Sequence, residues 1–88
     1  MKPNKPITQI PFDHRNPEHV KMLKDACKAQ SGPFDCMDIR HTIAENNAGQ
    51  TFDYHPLASY LGFMADRKDT VKYCYLQTGE FTEYELLP

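Results

Sequence analysis

The chain predicts an α+β domain in which three helices precede one antiparallel hairpin. Two observations carry that prediction. Residues 71–87, VKYCYLQTGEFTEYELL, alternate apolar and polar positions around a Thr78-Gly79 turn. Upstream, Asn16-Pro17, Phe34-Asp35 and His55-Pro56 each read as a helix start, and each precedes apolar residues at helical spacing.

Eighty-eight residues make one domain with a small core, since a chain this short buries only about 60–65% of its unfolded surface. At 40% apolar and 25% charged, the composition excludes a disordered or collagen-like chain. No apolar run approaches the ~18 residues of a membrane span. MKPNKPITQIPF has lysines but no apolar stretch after them, so no secretory signal is expected. Cys27, Cys36 and Cys74 are odd in number and widely spaced, which predicts buried free thiols in a reducing cytoplasm. The net charge of −2 gives no general basic surface, so any nucleic-acid contact would have to be local.

Residues 1–16 carry Pro3, Pro6 and Pro11 without helical period and read as an extended arm. Ile7, Ile10 and Phe12 are its candidates for packing back onto the domain of residues 17–88. In the first helix, Asn16 is the N-cap, Pro17 the first helical residue, and Glu18 suits the positive end of the dipole. Val20, Leu23, Ala26 and Cys27 form its apolar face. Lys21, Lys24 and Lys28 share an arc of roughly 60° on another. Ser31-Gly32-Pro33 ends the helix.

The second helix follows the cap Asp35, with Asp38 placed for a capping box. Its apolar stripe is Cys36, Ile39 and Ile43, and Asn46-Asn47-Ala48-Gly49 stops it. The link from Asn46 to His55 is anchored through Phe52 and Tyr54, which alternate with polar residues. The third helix is expected from Pro56 to about Lys68, buried through Leu57, Leu61, Met64 and Ala65, with Tyr60 at the edge. Ser59, Gly62, Phe63 and Asp66 then point outward. His55 precedes or caps this helix.

The hairpin fixes its own register. A two-residue turn at Thr78-Gly79 sets Tyr73 opposite Tyr84, Val71 opposite Leu86 and Lys72 opposite Glu85. Each such pair contributes about 0.2–1 kcal/mol, and a one-residue slip destroys all of them together. Val71, Tyr73, Tyr84 and Leu86 then face the helices, while Leu76 and Phe81 pair on the other side near the tip. A short strand is expected near Pro33-Phe34.

SGPFDCMDIRHTIAEN and HPLASYLGFM, followed by the hairpin, resemble the winged helix-turn-helix superfamily over about residues 17–87. Small winged-helix domains of phage and other mobile elements are the more specific likeness. The resemblance implies a small DNA-binding transcription regulator whose third helix enters a major groove. It places Ser59, Tyr60, Phe63 and Arg67 on the reading helix and Arg40, Lys68 and Lys72 at phosphates. The surface chemistry allows a different partner. The outward side of the third helix is apolar and acidic, and the hairpin carries Glu80, Glu83 and Glu85. An apolar patch of Phe63, Leu76 and Phe81 would make the domain a protein-interaction module, an adaptor or an inhibitor of a host protein. Packing of Phe63 under the arm, against Ile7, Ile10 or Phe12, is the other outcome for that ring. The lysine stripe reads either as a phosphate track or as a solvated helix face.

No enzymatic activity is expected. No nucleophile motif surrounds the cysteines, there is no glycine-rich phosphate loop, and the domain has little room for a substrate pocket of ~300 Å³. His14, His19, His41 and His55 do not combine with the cysteines at zinc-site spacing, so neither metal nor cofactor is expected.

Overall fold

The computed structural model describes residues 8–76 and 82–88, with the side chains of 75 and 76 outside that description. It is a mixed α+β fold in the order β1 (Thr8–Ile10), α1 (Pro17–Lys28), α2 (Cys36–Asn46), β2 (Gln50–Phe52), α3 (Tyr54–Arg67), β3 (Val71–Leu76) and β4 (Thr82–Leu86). No helix among the described residues is long and apolar enough to cross a membrane.

Local chemistry explains where the helices start. Asn16 Oδ1 accepts the Glu18 N–H at 2.9 Å, and Pro17 occupies a position whose missing N–H costs nothing. At α2, the Asp38 N–H donates to the Asp35 carboxylate at 2.9 Å, while the Asp35 N–H donates to the Asp38 carboxylate at 3.1 Å. The capping box is therefore complete. Helix α3 begins at Tyr54, two residues before the expected Pro56, so His55 lies inside its first turn. The first N–H groups of a helix lack intrahelical acceptors, so Pro56 fits within that turn without breaking a bond.

The helices meet in one core. Leu23 and Cys27 of α1, Ile39 and Ile43 of α2, and Leu57, Leu61 and Met64 of α3 are all buried. Phe34, Phe52, Val71 and Tyr84 close it from the loops and strands. Burial of each such side chain contributes roughly 1.5–3 kcal/mol.

The hairpin has the expected register at its base, with Val71 opposite Leu86, Lys72 opposite Glu85 and Tyr73 opposite Tyr84. An irregularity between Tyr73 and Tyr75 then shifts it. Leu76 lies opposite Thr82, which corrects the expected Leu76–Phe81 pair: one extra residue on β3 displaces every pairing beyond it. Phe81 and the Thr78-Gly79 turn lie outside the described residues, as does Ile7. Cys74 is exposed, which corrects the expectation of a buried thiol there: it shares the outward strand face of Lys72, opposite Val71 and Tyr73, whereas Cys27 and Cys36 are buried. Tyr73 does face α3, but at the rim, 40% exposed.

Phe34 forms the expected short strand contact as a single antiparallel bridge to Tyr84. The Phe34 N–H donates to the Tyr84 carbonyl at 2.9 Å, and the Tyr84 N–H returns a bond at 2.7 Å. The anchored link has a form the sequence does not announce: β2 pairs in parallel with β1, Ile10 beside Phe52. Thr51 Oγ1 donates to the Arg40 carbonyl at 2.9 Å and fastens this small sheet to α2.

A candidate interaction surface on helix α3

The outward side of α3 is built from aromatic rings. Tyr60 and Phe63 are neighbours at helical i, i+3 spacing and stack with centroids 5.5 Å apart. One turn further on, the Arg67 guanidinium lies over the Phe63 ring, 4.4 Å from its centroid. Towards the N-terminal end, His14 stacks on Tyr60 at 5.9 Å and Phe12 tilts against it at 5.4 Å. Phe12 also meets Phe52 edge to face at 5.1 Å, which anchors the arm in the core. These groups, with Pro56 and Ser59, border an open cavity of about 350 Å³.

Phe63 is 46% exposed. Phe12 turns to Tyr60 and Phe52 and leaves Phe63 at the cavity rim, whereas Ile7, another residue expected to cover it, lies outside the described residues. Of the seven residues expected at DNA, Ser59, Tyr60, Phe63 and Arg67 come together on this surface. Lys68 follows, exposed at the C-terminal end of α3 in a left-handed conformation. Arg40 and Lys72 are engaged elsewhere. Arg40 Nε donates to the Phe52 carbonyl at 3.0 Å, and Lys72 pairs with Glu85 at 3.5 Å. Leu76, the expected companion of Phe63, is described by its backbone alone, and Phe81 is not described.

The lysine stripe of α1 is largely neutralised. Lys21 pairs with Asp25 at 2.7 Å, and Lys24 with Asp69 at 3.4 Å. The Lys21–Asp25 hydrogen bond raises the Lys21 pKa and lowers that of Asp25. Beside the aromatic surface, Tyr73 Oη donates to Asp66 at 3.0 Å. Partial burial and that bond hold the Tyr73 phenol above its usual range. The acid of α3 is thus directed at the hairpin, while Arg67 pairs with no carboxylate among the described residues.

The thiols offer little nucleophilic chemistry. Burial pushes both Cys27 and Cys36 up to about 12. Cys74 is raised by desolvation and by the neighbouring Glu85 and Glu83 carboxylates.

Sequence reasoning passed over His14 as part of this surface. Its ring reaches Tyr60 only because β1 fixes where the arm crosses α3, and no motif around His14 records that crossing. No family model, curated protein or solved structure matches the chain.

Proposed function

We propose that the chain is a winged-helix domain used as a protein-interaction module, with the aromatic face of α3 as its docking surface. One observation carries the reading. Phe63 is exposed at the centre of a ring stack and on the rim of a cavity it does not fill. Aromatic side chains beside unfilled apolar space are the usual anchors of protein interfaces. The electrostatics agree: Lys21, Lys24 and Lys72 have carboxylate partners, and Arg40 caps a backbone carbonyl. Among the described residues, Lys28, Arg67 and Lys68 are the cations left for a phosphate backbone. An adaptor or inhibitor would use such a face to hold its partner. The test is Phe63→Ala in a pull-down from cells that make the protein. The variant keeps its thermal midpoint and loses the captured protein; unchanged capture contradicts the reading.

A second reading, a small DNA-binding regulator of the phage type, draws support from the order of elements. Three helices precede a hairpin, and Phe34 bridges its second strand. This order is compatible with the winged-helix plan, in which the third helix would read the major groove. Ser59 and Arg67 would then meet base edges and Lys68 a phosphate. Affinity would be modest and fall steeply with salt, and Arg67→Ala would relax sequence preference. A titration at low salt that binds no duplex eliminates this reading.

A further inference from the structure

We infer that the partner on the α3 face is a second copy of this chain, packed with α3 antiparallel to α3 so that each Phe63 enters the other copy's cavity. The inference rests on the reading of that face as a protein surface. It adds what covers the face.

Shape supplies the first argument. The cavity of about 350 Å³ is bordered by Phe12, His14, Pro56, Ser59, Tyr60 and Phe63. An apolar cavity of about 150 Å³ already accommodates benzene, so a phenylalanine ring fits with room for its Cβ. Phe63 stands at one rim, 46% exposed, and does not occupy that space itself. A surface carrying both an exposed ring and an adjoining ring-sized space is complementary to itself. A two-fold axis satisfies both features twice, as an isologous interface requires.

Charge supplies the second argument and sets the register. Asp53 stands at the N-terminal end of α3 and makes no side-chain capping bond. Arg67 closes the C-terminal end of the helix. Neither belongs to an ion pair among the described residues. Around the axis, Asp53 lies within roughly 80° of Phe63 and Arg67 within roughly 40°, at about 100° per residue. An antiparallel pair that sets Asp53 against Arg67 of the second copy is centred on Tyr60, midway between them. In that register Phe63 falls opposite the segment from Pro56 to Tyr60, the segment that borders the cavity. The register chosen by charge is therefore the one shape requires. It also sets the positive end of each helix dipole beside the negative end of the other. Ser59 is small enough to admit the incoming ring, and a net charge of −2 gives little mutual repulsion.

Sedimentation equilibrium of the full chain, from about 1 μM to 1 mM, tests the proposal. The expected result is a monomer–dimer equilibrium that Phe63→Ala weakens at least about 30-fold, with the circular dichroism of the folded state intact. Ser59→Trp obstructs the cavity from an exposed position and gives the same loss if Phe63→Ala proves hard to fold. Asp53→Lys and Arg67→Glu each weaken the dimer, and the double variant, with its charges exchanged, recovers to within about threefold of the wild type. A wild-type chain that stays monomeric throughout overturns the proposal. A double variant no tighter than either single one overturns the antiparallel arrangement. Monomeric protein that still captures another protein through Phe63 overturns self-docking alone. Phe63→Ala without effect in either assay overturns the protein-surface reading as well.

Discussion

Phe52 and Phe63 carry the same side chain in opposite settings. Phe52 is fully buried where β2 meets α2 and α3, and Phe12 and His19 pack on its ring. Phe63 lies on the far side of α3, where Tyr60 stacks on its ring and the Arg67 guanidinium lies over it. Phe52→Ala is expected to cost about 3–5 kcal/mol, the usual penalty for an aromatic removed from a core. Phe63→Ala should stay within about 0.5 kcal/mol of the wild type, as surface substitutions do. Urea denaturation of the two variants measures both. A large loss from Phe63→Ala would show that the ring belongs to the fold. The cysteines divide in the same way. Cys27 and Cys36 are buried, and burial pushes their thiols up to about 12, which keeps them protonated and unreactive. Cys74 is exposed at the bulge. Native protein treated with maleimide should therefore take one label, at Cys74, and the other two should react only on unfolding. Mass spectrometry counts the labels, and fast modification of Cys36 would contradict its burial.

Among the elements, those with local chemical signatures were legible in the sequence. Asn16-Pro17 and the Asp35–Asp38 box fixed the starts of α1 and α2 within a few residues. Tyr73, Lys72 and Val71 fixed the hairpin base through cross-strand pairs. The bulge at Cys74 was not legible, because nothing in VKYCYL marks the extra residue. The β1–β2 ladder was not legible either. Three-residue strands have too little period to detect, and a parallel pair between residues distant in sequence exists only once the helices have placed them. The candidate site was half legible: helical spacing set Ser59 and Phe63 outward and the family resemblance added Arg67, whereas Phe12 and His14 arrive through that unforeseen ladder. Two connections carry non-glycine residues in left-handed conformations, Ala48 at φ 56° after α2 and Thr70 at φ 71° before β3. Gly49 N–H donates to the Ala44 carbonyl at 2.8 Å over Ala48, and Val71 N–H to the Asp69 carbonyl at 2.8 Å over Thr70. The first closes a Schellman turn and the second a strained γ-turn. Ala48→Gly should raise stability by about 1 kcal/mol, because glycine adopts that conformation without the Cβ penalty. A lower urea midpoint for Ala48→Gly would contradict this account of the turn.

At the scale of the whole molecule, the buried ionisable groups set the pH range of the fold. Cys27, Cys36 and Tyr84 are all pushed up to about 12, first by burial. Each is raised above its value in the unfolded chain, near 9 for the thiols and 10 for the phenol. Folding therefore holds these protons more tightly, and their contribution is complete below about pH 9. It is lost as the pH rises towards 12, because the unfolded chain ionises first. The urea midpoint should be flat from neutral pH to about 8.5 and fall steadily above 9. A midpoint that rises through that interval would contradict the burial of these groups. The exposed Lys21–Asp25 pair adds little to this profile, since solvent screens it. The same core that buries these groups holds α3 with its aromatic side outward, and that side is the basis of the functional proposal. Its most direct test is photo-crosslinking from a benzoylphenylalanine placed at Lys68, an exposed position at the C-terminal end of α3 beside Arg67 and outside the cavity lining. Irradiated in extracts of cells that make the protein, and again with purified chain alone, it should yield protein–protein adducts. Adducts only with nucleic acid, removed by nuclease, or no adducts at all, would contradict a protein-docking role for α3.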